Sequence, residues 1–130
     1  MMDKPLTVFI VDDSAQLAEI LGELLADPGY VEIAGMADSV PIAIEAVGRL
    51  RPDVVIVDLQ LKDGNGFQVA EGIAAMPGRD TIEVIFLTNH TSPEFMRRAA
   101  ELGVRHFLDK SRDHAKVVEL VQAKLGRRKS

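Results

Sequence analysis

The sequence predicts a single α/β domain in which a doubly wound, five-stranded parallel sheet is covered by helices on both faces. Five short apolar runs alternate with five amphipathic stretches along the 130 residues, and consecutive βα units form sheets of this kind. Four of the apolar runs are followed within two residues by a residue that can do chemistry: Asp12, Asp58, Thr88 and Lys110. Ligands of open parallel sheets bind beyond the carboxyl ends of the strands, so we expect these side chains to meet.

The first part of the chain predicts two strands, each followed by a helix. Leu6–Val11 is a nearly continuous apolar run and predicts the first strand. The helix at about 14–26 carries apolar residues at i, i+3, i+4 spacing that predict one buried face: Leu17, Ile20, Leu21, Leu24 and Leu25. An Asp-Pro-Gly sequence at 27–29 ends this helix. Val31–Ala37 predicts the second strand, and residues 40–50 predict the second helix.

The remaining elements follow the same alternation. Strands are predicted at 53–57, 82–87 and 104–108, and the third helix at about 66–76. Ser92 is a suitable cap for the fourth helix, Pro93 suits its first position, and Gly103 suits the left-handed position just past its end. Ser111 is the expected cap of the fifth helix. That helix presents four apolar residues on one side: Val117, Leu120, Val121 and Leu125.

The polarity of the strands predicts their order in the sheet. The first, third and fourth strands are almost entirely apolar, which is typical of strands buried on both faces. The second and fifth strands contain polar residues such as Glu32, Arg105 and His106, which is typical of edges. The order 2-1-3-4-5 satisfies this pattern and makes the first and third strands neighbours. We therefore expect Asp12, Asp13 and Asp58 to lie close together.

Composition limits the class of protein. The net charge of −5 disfavours direct binding to nucleic acid, and the absence of cysteine excludes disulfides, thiolate nucleophiles and cysteine-based metal sites. No signal peptide is recognisable, and no run approaches the roughly 20 apolar residues that span a bilayer. We expect a cytoplasmic protein with no membrane insertion. We also expect one domain over residues 1–130, with a core at about 6–125 and no output domain.

The predicted cluster of acidic residues indicates magnesium and phosphate chemistry. Three converging carboxylates repel one another unless a cation neutralises them, and Mg²⁺ prefers oxygen ligands and commonly shares its coordination sphere with a phosphate. Lys110 and the Thr88 hydroxyl could each hold a phosphoryl oxygen. Asp58 is the best candidate for a nucleophile, because it stands alone after a central strand and aspartyl-phosphates are established covalent intermediates.

These residues resemble the motifs of the receiver domain of two-component response regulators, and the resemblance covers essentially the whole chain. The resemblance implies a flavodoxin-like (βα)5 fold, for which the 2-1-3-4-5 strand order is a known arrangement. The matching pieces are Val11-Asp12-Asp13-Ser14, Asp58-Leu59 with Asp63-Gly64, Leu87-Thr88, Gly103 and Phe107-Leu108-Asp109-Lys110.

The resemblance also implies a mechanism. A histidine kinase or phosphotransfer protein would donate a phosphoryl group to Asp58, and Thr88 and Lys110 would hold the phosphoryl oxygens. Asp13, Asp58 and the backbone carbonyl of Gln60 would coordinate Mg²⁺, with Asp12 acting through water. Thr88 and Phe107 would act as switch residues. An unidentified output protein would then bind at the fourth helix, the fifth strand and the fifth helix.

Several positions depart from the pattern of the family. Lys62 and Ser111 stand where relatives often have proline, and Asn89 replaces a small residue. Gln60 and His90 occupy the two positions that tune the lifetime of the phosphoryl group in relatives. Because Asn89 adds bulk beside the acceptor, we expect self-dephosphorylation to be slower than is typical.

Three classes of function remain open at the level of sequence. The first is a phosphorylation switch or phosphorelay component that is not an enzyme beyond its own phosphorylation and dephosphorylation. The second is a degenerate receiver that binds partners without phosphorylation. The third is a Mg²⁺-dependent phosphatase with an aspartyl nucleophile, which is disfavoured because Asp12 and Asp13 are adjacent, whereas such enzymes commonly carry Asp-x-Asp after the first strand.

Overall fold

The computed structural model, which describes residues 4–129, has the alternation of strands and helices that the sequence predicts. In chain order the elements are β1 (Leu6–Val11), α1 (Ala15–Leu25), β2 (Val31–Ala37), α2 (Val40–Leu50), β3 (Val54–Val57), β4 (Gln60–Leu61), β5 (Gly64–Asn65), α3 (Gly66–Ala74), β6 (Glu83–Thr88), α4 (Pro93–Glu101), β7 (His106–Asp109) and α5 (His114–Lys129). The bounds agree with the predicted ones to within two residues. The β4–β5 hairpin was not predicted. Within the described residues, no helix combines the length and apolarity that crossing a bilayer requires.

The five longer strands form one parallel sheet in the order β2-β1-β3-β6-β7. This confirms the predicted order, since β6 and β7 are the fourth and fifth strands of the prediction. All four residues of β3 are buried, whereas β2 and β7 at the edges are partly exposed. The short strands β4 and β5 form a separate antiparallel hairpin, which begins two residues after Asp58.

Two apolar layers cover the sheet. On one side, α1 and α5 pack against strand residues such as Ile10 and Ile56. On the other side, α2, α3 and α4 pack around Phe9 and Phe86. Phe86 meets Phe67 of α3 edge-to-face, with their ring centroids 5.5 Å apart. The sheet is therefore buried on both faces, and its two ends are left for loops.

The predicted buried face of α1 is wrong for three of its five residues. Leu21 and Leu25 are buried, but Leu17, Ile20 and Leu24 are each about half exposed. The sheet is contacted instead by a face that includes Ala18 and Gly22, which are buried. A Cβ atom at Gly22 would lie only 3.0 Å from the Met36 methyl group, so these small residues let the helix approach the sheet closely. A helix with apolar residues on two adjacent faces does not reveal from its spacing which one faces the core.

The helix ends show one further correction. In α4 the predicted signals are confirmed: Ser92 accepts a hydrogen bond from the Phe95 amide at 3.1 Å, and Gly103 has a φ of +82°. Ser111 does not cap α5, which begins at His114. The Asp109 carboxylate instead accepts hydrogen bonds from the amide and hydroxyl of Ser111, at 2.9 and 2.5 Å. Ser111 therefore belongs to the turn between β7 and α5, because its hydrogen bonds go to Asp109 and not to the first turn of the helix.

Candidate functional site

Three carboxylates meet at the carboxyl ends of β1 and β3. One ligand oxygen from each of Asp12, Asp13 and Asp58 lies within 4.8 Å of the other two. They converge because the strands pair in register, with Val11 beside Val57, and because the Asp58 amide donates to the Val11 carbonyl at 2.9 Å. Asp12 and Asp58 are buried, whereas Asp13 is exposed. The strand order thus brings together the acids that the sequence places after each strand.

Lys110 extends from the end of β7 into this cluster. Its ammonium donates to Asp12 Oδ2 at 2.5 Å and to Asp58 Oδ2 at 2.9 Å, and the lysine is only 8% exposed. The backbone holds it there, because the Lys110 amide donates to the Thr88 carbonyl at 2.9 Å. One ammonium therefore serves two buried carboxylates, and the cluster keeps an excess of negative charge.

The pKa values of the site reflect this imbalance. Burial raises the pKa of Asp12, and the hydrogen bonds from Lys110 and from the Ser14 amide offset that effect only in part. Burial alone would lower the pKa of Lys110, but its hydrogen bonds to Asp12 and Asp58 and the negative charges of these two carboxylates together outweigh burial and raise that pKa. A second cation beside the carboxylates would relieve the unfavourable charge on the buried Asp12.

The chemistry of this donor set fits a hard divalent cation such as Mg²⁺. Such ions take oxygen ligands, and carboxylates are their usual protein ligands. The three converging carboxylates supply that set. Gln60 follows Asp58 closely: its amide donates to Asp58 Oδ1 at 3.3 Å, and its side chain is exposed. Its backbone carbonyl stays a predicted fourth ligand.

The two predicted switch residues lie on adjacent strands. Thr88, at the end of β6, is fully buried, and its hydroxyl oxygen accepts a hydrogen bond from the His90 amide at 3.1 Å. Among the described residues, no hydrogen bond joins Thr88 to Asp58. Phe107 on β7 is half-buried and lies beside Phe86, with an edge-to-face ring distance of 6.0 Å. The Thr88 hydroxyl is the acceptor in this turn, so it retains a proton to donate.

The residues predicted to control access lie at the surface. Gln60, Asn89 and His90 are all exposed, so solvent reaches them. Lys62 is also exposed and lies in the turn of the hairpin, where its ammonium contacts Asp38 Oδ2 at 3.2 Å.

The sequence analysis did not identify Gly66, the first residue of α3, as part of the site. The first turn of α3 packs against the backbone of the predicted acceptor, and a Cβ atom at Gly66 would lie 2.5 Å from the Asp58 carbonyl oxygen and 3.0 Å from a methyl group of Val57. The Gly66 amide also donates to the Leu59 carbonyl at 2.9 Å. The residue is therefore required for a close approach. A lone glycine at the start of a predicted helix carries no signal of that approach.

We expect Gly66→Ala to lower the free energy of unfolding by about 1–3 kcal/mol, because the added methyl group must displace the Asp58 backbone. Urea unfolding followed by circular dichroism measures this. Gly126→Ala in α5 is the control, since a Cβ atom there meets nothing within 4 Å. Alanine is favoured over glycine within helices, so the control should be as stable as the parent or more so. Equal stability of Gly66→Ala and the parent would contradict the predicted clash.

Comparisons with known proteins agree with this arrangement. The sequence model of the response regulator receiver domain matches residues 8–122. The sensory transduction protein LytT of Bacillus cereus is 32% identical over 117 residues, which cover 90% of this chain and 46% of LytT. The DNA-binding transcriptional activator DevR/DosR of Mycobacterium tuberculosis is 33% identical over 89% of this chain and 51% of its own length. The chain thus spans about half the length of these curated relatives.

The fold has close counterparts among solved structures. A domain described as the signal receiver domain of NarL from Mycobacterium tuberculosis superimposes with a TM-score of 0.80 and is 26% identical. The match covers 95% of this chain and 98% of that one. The similarity therefore extends over nearly the whole of both chains.

Proposed function

Since the chain belongs to the response regulator receiver domain family, we propose that Asp58 accepts a phosphoryl group from a phosphohistidine on a histidine kinase or phosphotransfer protein. The observation that carries the proposal is the double contact of Lys110 with Asp12 and Asp58, beside the exposed Asp13. This arrangement places the buried Asp58 carboxylate next to the Lys110 ammonium and to the oxygens of Asp12 and Asp13. The proposal places the chain in the cytoplasm, because histidine kinases draw the phosphoryl group from ATP.

In the proposed transfer, an oxygen of Asp58 bonds to phosphorus as the P–N bond of the phosphohistidine breaks and the histidine leaves. Asp12, Asp13, Asp58 and the Gln60 carbonyl would hold Mg²⁺, which when bound neutralises charge on the phosphoryl oxygens. Within the described part of the chain, the only hydrogen bond to Asp58 Oδ1 comes from the Gln60 amide at 3.3 Å, so Oδ1 is the less restrained of the two Asp58 oxygens. Lys110 would exchange its bond to Asp58 Oδ2 for one to a phosphoryl oxygen.

The new phosphoryl group would change the surface near α4 and β7. It adds charge and strong acceptor oxygens, and Thr88 would satisfy one of them by moving toward Asp58 and donating its hydroxyl proton. The space that Thr88 leaves would be available to Phe107, which is half-buried and meets the Phe86 ring in a T-shaped contact. An output protein would detect the change at α4, β7 and α5. The chain itself would catalyse only the gain and loss of its own phosphoryl group.

The test is intact-mass spectrometry after incubation with acetyl phosphate and Mg²⁺. We expect a gain of one phosphoryl group, and no gain when EDTA removes the metal, because the transfer depends on neutralising the charge around Asp58. A chain that takes up nothing from acetyl phosphate or phosphoramidate would contradict the proposal and favour a binding module that works without phosphorylation. Continuous release of phosphate from small phosphate esters would instead favour a phosphatase.

We expect Asn89→Ala to lose its phosphoryl group faster than the parent. If the smaller side chain lowers the activation free energy for attack by water by about 1.4 kcal/mol, the rate rises about tenfold. The reason is that Asn89 is exposed and directly follows Thr88, where its side chain would add bulk on the path of water to Asp58. The decay of the phosphorylated mass after removal of acetyl phosphate measures the rate. Thr91→Ala, an exposed change two residues later, is the control. A decay of Asn89→Ala no faster than that of the parent would rule out Asn89 as the cause of slow dephosphorylation.

A further inference from the structure

The β4–β5 hairpin that follows Asp58 is fastened to the start of α2. Its turn residue Asp63 accepts a hydrogen bond from the Val40 amide through Oδ1, at 2.9 Å. The neighbouring Lys62 amide donates to the Asp38 carbonyl at 3.2 Å, and its ammonium contacts the Asp38 carboxylate at the same distance. The hairpin is therefore bonded to a segment that precedes it by more than 20 residues in the chain.

Asp63 replaces a cap that α2 lacks. The residue at the cap position, Ser39, makes no hydrogen bond from its side chain to the helix. The first amides of a helix need acceptors from outside the helix, and Asp63 supplies one of them from 23 positions away. The hairpin also packs closely here, because a Cβ atom at Gly64 would lie 2.9 Å from a methyl group of Val40. The contact is thus a specific fit of the turn onto the helix end.

The same segment also holds the acid pair. The Asp12 amide donates to the Ala37 carbonyl at 3.0 Å, one residue before Asp38. At the other end of the hairpin, the Gln60 amide reaches Asp58 Oδ1. The end of β2 therefore binds the backbone of Asp12 on one side and the loop that carries Gln60 on the other. Asp63 joins the two halves of the predicted metal site through this segment.

We propose that Asp63 is a positioning residue for the divalent cation, which fixes the Gln60 carbonyl relative to Asp12, Asp13 and Asp58; this inference rests on the proposed function. Asp63 itself is exposed at the tip of the hairpin and acts through the Val40 amide. Loss of its acceptor frees the hairpin to move and spreads the ligands apart. Removal of such supporting contacts typically weakens metal affinity by about tenfold or more.

The test is isothermal titration of the unphosphorylated chain with Mg²⁺ alone. Asp63→Ala is expected to bind Mg²⁺ about tenfold more weakly than the parent. Asp63→Asn keeps an oxygen acceptor for the Val40 amide and should bind within about twofold of the parent. Lys62→Ala is the matched control, because its exposed ion pair contributes little and its backbone bond to Asp38 remains.

Each result decides between the possible roles. Equal affinities of Asp63→Ala and the parent, or equally weak binding by the alanine and asparagine variants, would overturn the inference. Urea unfolding of the same proteins shows whether Asp63→Ala remains fully folded at the temperature of the titration. A parent chain that binds no Mg²⁺ would contradict the proposed function itself, so the two failures are distinguishable.

Discussion

The Asp58→Ala variant is expected to take up no phosphoryl group from acetyl phosphate and Mg²⁺ under conditions that label the parent chain completely. Asp12 cannot replace the lost acceptor, because Lys110 holds one of its oxygens at 2.5 Å and the Ser14 amide holds the other at 2.9 Å. The corresponding amide contact to Asp58 is longer, at 3.3 Å from Gln60. Asp13 is exposed to solvent and lacks the contact with Lys110 that the other two acids share.

The variant should nevertheless fold, which makes the loss of labelling interpretable. Lys110 keeps its partner Asp12, so no buried charge is left alone, and one carboxylate fewer reduces the repulsion within the cluster. We expect its free energy of unfolding to lie within about 1 kcal/mol of the parent value. Intact mass and urea unfolding measured on the same sample check both statements. Full labelling of Asp58→Ala would move the acceptor to another residue and refute the assignment.

The sequence was sufficient for the parts of the site that depend on strand direction. Asp12, Asp58 and Lys110 each follow an apolar run, and a parallel sheet brings the ends of its strands to one edge. The polarity of the strands then placed β1 beside β3. These inferences needed no side-chain detail, because register and strand order alone make the residues neighbours.

Features that depend on competition between local contacts were not predictable. The spacing of α1 admitted two apolar faces, and only the close packing of Gly22 near Met36 decides between them. Ser111 has the residue type of a helix cap, but its amide and hydroxyl both donate to the Asp109 carboxylate, two residues earlier in the chain. The contact of Asp63 with Val40 joins loops that are distant in sequence, and no periodic pattern marks such a contact.

Thr88 combines a feature that the sequence predicts with one that it does not. Its position at the end of β6 followed from the sequence, but the engagement of its hydroxyl with the His90 amide did not. Short polar side chains often bind backbone amides two residues ahead, and here the hydroxyl is the acceptor, so it retains a proton to donate. In the proposed switch, the phosphoryl group would accept this proton, and the local turn sets the orientation from which the hydroxyl starts.

The largest expected effect on stability is that of Lys110→Met. The substitution leaves Asp12 and Asp58 buried with no ammonium between them, and removal of one partner from a buried ion pair costs about 3–5 kcal/mol. We therefore expect the free energy of unfolding in EDTA to fall by about that amount. Lys116→Met is the control, because this lysine is exposed on α5, and such surface changes usually alter stability by less than about 0.5 kcal/mol.

Mg²⁺ should restore part of the stability that Lys110→Met loses. A ligand that binds only the folded state stabilises it by about 2.7 kcal/mol at 100 times its dissociation constant, and the variant offers the cation a cluster with no competing ammonium. The gain on adding Mg²⁺ should therefore be larger in Lys110→Met than in the parent. Adding Asp12→Asn to the variant should also recover stability in EDTA, because it removes one of the two unpaired charges. If Lys110→Met were as stable as the parent in EDTA, the ammonium would not be what neutralises these carboxylates, and the electrostatic account of the site would be wrong.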